Sequence, residues 1–314
     1  MASGPVFEDG EALCLRYEVG METSHPCALV AGFNFELNRH HSLQAEIQAG
    51  ATSTRMLAAT GNVTFAEITP APADYPGALP ELLYPASLVF EPPRWPVSLH
   101  DISQWWDYRR DANGKQPLGK GFELAGLEDH PVVHIACKDA RAYANWAGKD
   151  PPTEAEREFA SGDELLPGGI AQANTWQRAF PNENTPLDGY LRTSPVRTYP
   201  ANPHGIYDLI GNVWEWTGDF YSQSHQEHTE KEGCCAPRNP LGDPQEKSYD
   251  PAMSGIGIAR KVLKGGSHVC SPNYRCHYRP AARHAQPIGT STSHVGFRCV
   301  VRGASAIVNN TNLH

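Results

Sequence analysis

Two cysteines near the C-terminal end of the sequence have the residue types and spacing best suited to chemistry. Cys270 and Cys276 are separated by five residues, and Arg275 stands directly before the second of them. A guanidinium this close in sequence favours the thiolate, which is the nucleophilic and metal-binding form of cysteine. Other outcomes stay open: an unreactive buried thiol, a disulfide between the two, or a zinc site completed by His268 and His277. Zinc is the least favoured, since this spacing matches no standard zinc finger or ribbon.

Composition limits which protein classes could carry such a pair. The chain has 314 residues, a net charge of −9 and 40% hydrophobic residues, so it can build a substantial core. Its 28 Gly and 27 Pro are spread without a period, which predicts many short elements. No basic run could follow a phosphate backbone and no apolar run could span a membrane, so we expect neither a nucleic-acid nor a membrane partner. Eight dispersed cysteines and no leader-like start favour a reduced, cytoplasmic setting.

One strand-to-helix unit stands out as an element that could position a site. Residues 132–136 are mostly apolar and predict a strand, and residues 138–146 predict a helix that Gly148 terminates. Thr153 begins a Thr-x-x-Glu capping box, which predicts a short helix over residues 154–160.

The rest of the sequence carries weaker signals. Short apolar runs at 28–37 and 54–60 are element candidates in the N-terminal part. Prolines recur so often over 75–96 that we expect an extended surface segment there, without a central strand. The polar, Pro/Gly-rich residues 222–258 predict a long surface loop.

Four segments, in order along the chain, together resemble the formylglycine-generating enzyme family. They are DHPVVHIACKDARAYANWAGK with PTEAE, ANTWQRAFP with DGY, GIYDLIGNVWEWT, and KVLKGGSHVCSPNYRCHYRPAAR with TSTSHVGFRC. The resemblance covers residues 60–301, leaving 1–59 as a divergent N-terminal part of the domain and 302–314 as a tail. It implies one irregular α+β domain of the C-type-lectin-like kind, with little regular secondary structure.

The resemblance also implies a reaction. Members of the family oxidise one cysteine of a sulfatase, within a Cys-x-Pro-x-Arg segment, to formylglycine with O2 and a thiol reductant. A Cu(I) ion held by two thiolates serves them, which agrees with the preference of Cu(I) for soft sulfur ligands. Cys270 matches the first thiolate. The family spacing is Cys-x4-Cys, so Cys276 is offset by one residue and matches the second ligand only if a bulge absorbs the extra residue.

Two calcium sites are implied at matching positions. The first would use the side chains of Asn174 and Asp188 with the carbonyls of Thr175 and Tyr190. The second would use the side chains of Asp208 and Glu215 with the carbonyls of Gly211 and Val213. All these donors are oxygen, as Ca²⁺ prefers. The alternative is that both aspartates are ordinary turn residues that bond their own backbone.

Further residues match positions close to the reacting thiols. Ser267 and Tyr274 carry hydroxyls that could position water or oxygen-derived species. Trp105, Trp106 and Trp214 match walls of a groove for the substrate peptide, and core packing is the alternative for each.

The leading hypothesis is therefore a copper-dependent oxidoreductase that acts on a peptidyl cysteine, with calcium as structural support. The rival is a calcium-stabilised, lectin-like binding module of the same family that lacks activity. The position of Cys276 relative to Cys270 distinguishes the two.

Overall fold

The computed structural model describes residues 44–47, 50–154, 171–202, 205–223, 242–253, 257–274 and 282–301. It contains the helices α1 (Gly50–Thr60) and α2 (Cys137–Ala147). The strands are β1 (Gln44–Ile47), β2 (Ala86–Phe90), β3 (Trp106–Arg110), β4 (Trp214–Phe220), β5 (Arg260–Lys264), β6 (His284–Pro287) and β7 (Val295–Val301). Short 3-10 turns and irregular loops make up the remainder, which confirms the α+β class with little regular secondary structure. No helix in the described part of the chain is long and apolar enough to cross a bilayer.

Five strands form the main sheet in the order β1-β7-β4-β5-β6. Neighbours pair antiparallel except β4 and β7, which run parallel with Trp214 opposite Val295. Strands β2 and β3 form a separate antiparallel ribbon. The last strand in sequence thus lies inside the main sheet.

The main core lies between this sheet and α2. Trp216, Leu263 and Phe297 from the sheet pack with Tyr143 of α2 and Met56 of α1. The buried Trp216 also donates its indole N–H to the Ile135 carbonyl at 2.8 Å, so this ring carries a satisfied polar atom into the core.

Helix α2 confirms the expected helix and its terminator. Gly148 has φ 63° and ψ 35°, the left-handed conformation that glycine adopts at low cost after a helix. At the other end, Asp139 accepts the Ala136 N–H at 3.0 Å and the Phe65 N–H at 3.1 Å. One carboxylate therefore caps α2 and fixes the segment that follows α1. The candidate run at 54–60 lies within α1, the run at 28–37 lies outside the described residues, and the capping-box helix does so beyond residue 154.

The expected strand at 132–136 is wrong. These residues are buried but irregular, because His134 has a positive φ of 60°, which no β-strand accommodates. Its side chain is fixed between Ser87 Oγ (2.7 Å from Nδ1) and the Pro117 carbonyl (2.9 Å from Nε2). Burial lowers the pKa of His134 to about 4, so this imidazole, which bonds both Ser87 and Pro117, is neutral at pH 7.

The extended surface segment expected over 75–96 needs correction too. Its middle forms β2, in which Val89 and Phe90 are buried. Prolines at 85 and 92 leave just enough free backbone N–H groups between them for a five-residue strand in a two-stranded ribbon.

Candidate functional site

The segment that carries Cys270 leaves β5 through a double-glycine turn. Gly265 and Gly266 have φ values of 93° and 71°, which glycine adopts without the steric cost of a side chain. A tight loop follows, in which the Cys270 N–H donates to the Ser267 carbonyl at 2.9 Å. The Ser267 N–H donates to Cys270 Sγ at 3.4 Å, and Ser267 Oγ lies 3.9 Å from that sulfur. Both residues are buried, and the Ser267 N–H is a donor directed at the sulfur.

The second expected thiol lies outside the described residues, as do Arg275 and His277. Pairing of Cys270 with Cys276 therefore stays a prediction. Across the described ranges, no group of three or more His, Cys, Asp and Glu side chains is arranged to hold a metal ion. His268 places Nδ1 2.9 Å from the Asn212 carbonyl, and burial lowers its pKa to about 4.

Tyr274 lies in a cluster of rings that is bonded to the backbone of the loop that carries Cys270. Its ring stacks on Phe180 with centroids 4.5 Å apart and planes 7° from parallel. Trp105 meets the Tyr274 ring edge-on at 5.8 Å. The Trp176 backbone N–H donates to the Cys270 carbonyl at 3.0 Å. This bond joins the cluster to the loop of residues 267–270, which we call the thiol loop. We call this group the aromatic cluster: Phe90, Trp105, Trp176, Phe180, Val269 and Tyr274.

The three tryptophans expected to face a substrate differ in exposure. Trp105 is 2% exposed within the aromatic cluster, and Trp214 is 4% exposed in the main core. Both therefore have the packing role that was their alternative interpretation. Trp106 is half-buried against His294, with ring centroids 4.7 Å apart, and retains surface that a peptide could contact.

The first oxygen-donor set (Asn174, Thr175, Asp188 and Tyr190) lies on two loop segments. Asn174 is buried and donates from Nδ2 to the Arg192 carbonyl at 2.7 Å. Asp188 accepts the Tyr190 N–H at 3.1 Å, the bond of an ordinary aspartate turn, and the Tyr199 hydroxyl at 2.9 Å. Burial and this carboxylate raise the pKa of Tyr199, which makes the phenol the donor of that bond.

The second oxygen-donor set (Asp208, Gly211, Val213 and Glu215) precedes and enters β4. Asp208 Oδ2 accepts the Arg197 N–H at 2.6 Å, whereas its buried Oδ1 has no hydrogen-bond partner among the described residues. Burial raises the pKa of Asp208. Glu215 is fully buried and meets Arg298 through two bonds, of 2.5 Å to Nε and 2.7 Å to Nη2. An unpartnered buried carboxylate oxygen fits a set of donors for a cation.

The two oxygen-donor sets are in direct contact. Gly211 has φ 72°, and a Cβ added to it would lie 2.4 Å from the Asn174 carbonyl oxygen. Only glycine allows this approach. The Gly211 N–H donates to the Gly265 carbonyl at 2.8 Å, so the double-glycine turn before Cys270 also contacts Gly211.

Some residues of the site were not assigned from the sequence. Phe180 and Trp176 lie within a matched segment but gave no signal of stacking under Tyr274. Arg298 was not assigned, although an arginine between apolar residues of a strand already indicates a buried carboxylate partner. The bond between the Asn212 carbonyl and His268 joins residues 56 positions apart in sequence, which no local pattern reveals.

The model of the sulfatase-modifying factor enzyme 1-like domain matches residues 36–303. A formylglycine-generating enzyme of Mycobacterium tuberculosis is 42% identical over 276 residues, which cover 85% of this chain and 87% of that protein. One from Streptomyces coelicolor is 40% identical over 206 residues, covering 62% of this chain and 60% of that protein. An inactive C-alpha-formylglycine-generating enzyme 2 of Bos taurus is 39% identical over 135 residues, covering 39% of this chain and 44% of that protein.

Proposed function

The chain belongs to the sulfatase-modifying factor enzyme 1-like family, and from that premise we propose that it oxidises a peptidyl cysteine of a sulfatase to formylglycine. The similarity to named formylglycine-generating enzymes supports this activity. The observation that carries the proposal is Cys270, a buried thiol of the main core whose sulfur accepts the Ser267 N–H and whose carbonyl accepts the backbone N–H of Trp176 in the aromatic cluster. The expected substrate is an extended Cys-x-Pro-x-Arg segment.

The proposed reaction balances with O2 and two equivalents of a thiol reductant. The thiol-bearing methylene of the substrate cysteine becomes an aldehyde, and its sulfur leaves as hydrogen sulfide. The second oxygen atom leaves as water, and the reductant becomes a disulfide. A Cu(I) ion held by Cys270, with Cys276 as the second thiolate, would supply the one-electron chemistry that O2 requires.

Residues of the chain itself would hold the reacting sulfur, position water, contact the peptide and bind calcium. The Ser267 N–H and hydroxyl would hold the Cys270 sulfur as thiolate. Phe180 fixes the Tyr274 ring by stacking, so its hydroxyl could position water near the reacting sulfur. Trp106 would contact the substrate peptide with its exposed surface. The two oxygen-donor sets would bind structural Ca²⁺, and the unpartnered Asp208 Oδ1 supports this at the second set.

The test is a product assay with a matched pair of cysteine variants. Purified protein is incubated with Cu(I), O2, a thiol reductant and a Cys-x-Pro-x-Arg peptide, and the peptide is weighed by mass spectrometry. We expect replacement of sulfur by an aldehyde oxygen, abolished in Cys270→Ala. Cys299→Ala is the control, because Cys299 is equally buried and burial raises its pKa to about 12, so it remains a thiol.

The outcome also decides between the oxidase and its rival. Absence of product from the folded, copper-loaded wild type would contradict the oxidase. If Ca²⁺ still stabilised that protein, the inactive binding module would be favoured, in line with the one-residue offset of Cys276.

A further inference from the structure

Asn212 connects three segments that are distant in sequence. It is 1% exposed, and its φ of 59° places it in the left-handed region. Its N–H donates to the Asn174 carbonyl at 2.8 Å. Its carbonyl lies 3.0 Å from the His268 N–H and 2.9 Å from His268 Nδ1, so both donate to it. The Asn212 backbone thus joins the first oxygen-donor set to a residue two positions before Cys270.

The Asn212 side chain fixes that backbone in place. Oδ1 accepts the Ser194 N–H at 3.0 Å, and Nδ2 donates to the Ser194 carbonyl at 3.1 Å. Two bonds to one residue fix an amide side chain in a single orientation. Every donor and acceptor group of Asn212 is therefore used.

We propose that Asn212 is a positioning residue that couples the two oxygen-donor sets to Cys270. This inference rests on the proposed function only in taking those sets as cation ligands and Cys270 as the reacting thiol. Gly211 and Val213, the carbonyl donors of the second set, flank Asn212. A cation bound to both carbonyls fixes the peptide groups 211–212 and 213–214, and so restrains the peptide group between them, whose Asn212 carbonyl holds His268. Binding of the cation therefore also orders the thiol loop, because His268 belongs to that loop.

Residue choice at this position agrees with such a role. Among non-glycine residues, Asn and Asp best tolerate a positive φ. Gly would retain the backbone bonds but lose both bonds to Ser194. Asp would place a carboxylate in this buried position against the Ser194 carbonyl, and burial of that charge would itself destabilise the protein. The variant Asn212→Gly therefore tests the loss of both Ser194 bonds without introducing a buried charge.

The experiment measures the alkylation rate of Cys270 in metal-free and Ca²⁺-loaded protein, resolved by peptide mass spectrometry. Because the thiol is 3% exposed, alkylation requires local opening, and its rate reports the stability of the loop. We expect Ca²⁺ to slow alkylation of the wild type by about fivefold or more. In Asn212→Gly the ratio should fall below about twofold.

Asn113→Gly is the matched control. The Asn113 side chain accepts the Lys115 and Gln116 N–H groups and donates to the Asp111 carbonyl, all within its own turn. This variant removes similar bonds without contact to Cys270, so it should lose stability yet retain the Ca²⁺ ratio of the wild type.

Two results would overturn the coupling: a wild-type rate that does not respond to Ca²⁺, or an Asn212→Gly variant with the full response. The peptide-oxidation assay on the same samples separates this inference from the proposed activity. A calcium response without product leaves the coupling intact and removes the oxidase. Product without a calcium response supports the oxidase and removes the coupling.

Discussion

The two oxygen-donor sets satisfy their carboxylates in opposite ways. In the first, the half-buried Asp188 is partnered by neutral donors, the Tyr190 N–H and the Tyr199 hydroxyl. In the second, the fully buried Glu215 is paired with the Arg298 guanidinium, which also donates to the carbonyls of Tyr207 and Asp208.

The difference shows how burial changes what a carboxylate requires. A carboxylate near water is satisfied by a turn, whereas a buried one needs a positive charge because desolvation of an ion costs several kcal/mol. Arg298 supplies one charge to the second set, and Asp208 Oδ1 is still without a partner among the described residues. The second set should therefore depend more on cations than the first.

Removal of Arg298 should have the largest effect on stability. Arg298→Met removes the guanidinium from the buried Glu215 carboxylate, and we expect the free energy of unfolding to fall by about 3–5 kcal/mol in urea titrations. Lys115→Met is the control, since its pair with Glu67 at 2.6 Å is partly exposed and should contribute at most about 1 kcal/mol. Equal losses in the two variants would contradict the contrast between buried and exposed pairs.

A third carboxylate separates the cost of burial from the effect of a partner charge. Asp139 is 4% exposed and accepts backbone N–H groups, and burial raises its pKa from 3.8 to about 6. Because the folded pKa exceeds the unfolded one, the folded chain holds the proton more tightly, and stability falls as pH rises through this window. The expected fall is up to about 3 kcal/mol.

Comparison of wild type with Asp139→Asn isolates this contribution. Urea unfolding at about pH 4.5 and about pH 7 should show a larger advantage of the wild type at the lower pH. The buried histidines titrate equally in both proteins and cancel. A wild-type advantage that grows with pH would reverse the sign and contradict the argument.

Calcium provides the finest test of the difference between the sets. At a concentration about 100 times the dissociation constant, Ca²⁺ should stabilise the wild type by about 2–3 kcal/mol for one site. Asp208→Asn should remove most of the stabilisation by Ca²⁺ at the second set. Asp188→Asn should lower the free energy of unfolding by about 1 kcal/mol, with a smaller loss of the stabilisation by Ca²⁺. Thermal unfolding in Ca²⁺ and in chelator measures both, and a larger calcium loss in Asp188→Asn would invert the comparison.

The sequence was sufficient for features that depend on local patterns. Helix α2 and its glycine terminator follow from apolar periodicity and one residue of special conformation. The strand expected at 132–136 failed because the apolar run carried no sign that His134 would bond Ser87 and Pro117 and turn the backbone.

Features set by distant pairings were beyond such reasoning. The contact between Glu215 and Arg298 spans 83 residues, and that between Asn212 and His268 spans 56. In both cases the partner is chosen by the sheet and loop arrangement. The match to a family implied the two oxygen-donor sets, which stay a prediction, and gave no indication of the arginine that pairs with Glu215.

The position of β7 has a consequence for biosynthesis. Val295–Val301 lies between β1 and β4, so an interior position of the main sheet is filled by the last of the described strands to leave the ribosome. Until then β4 lacks a neighbour on one side, and the Glu215 carboxylate lacks its guanidinium. Folding of the main core must therefore await release of the C-terminal part of the nascent chain, and a truncation just before residue 295 should yield a protein that chaperones retain and proteases degrade.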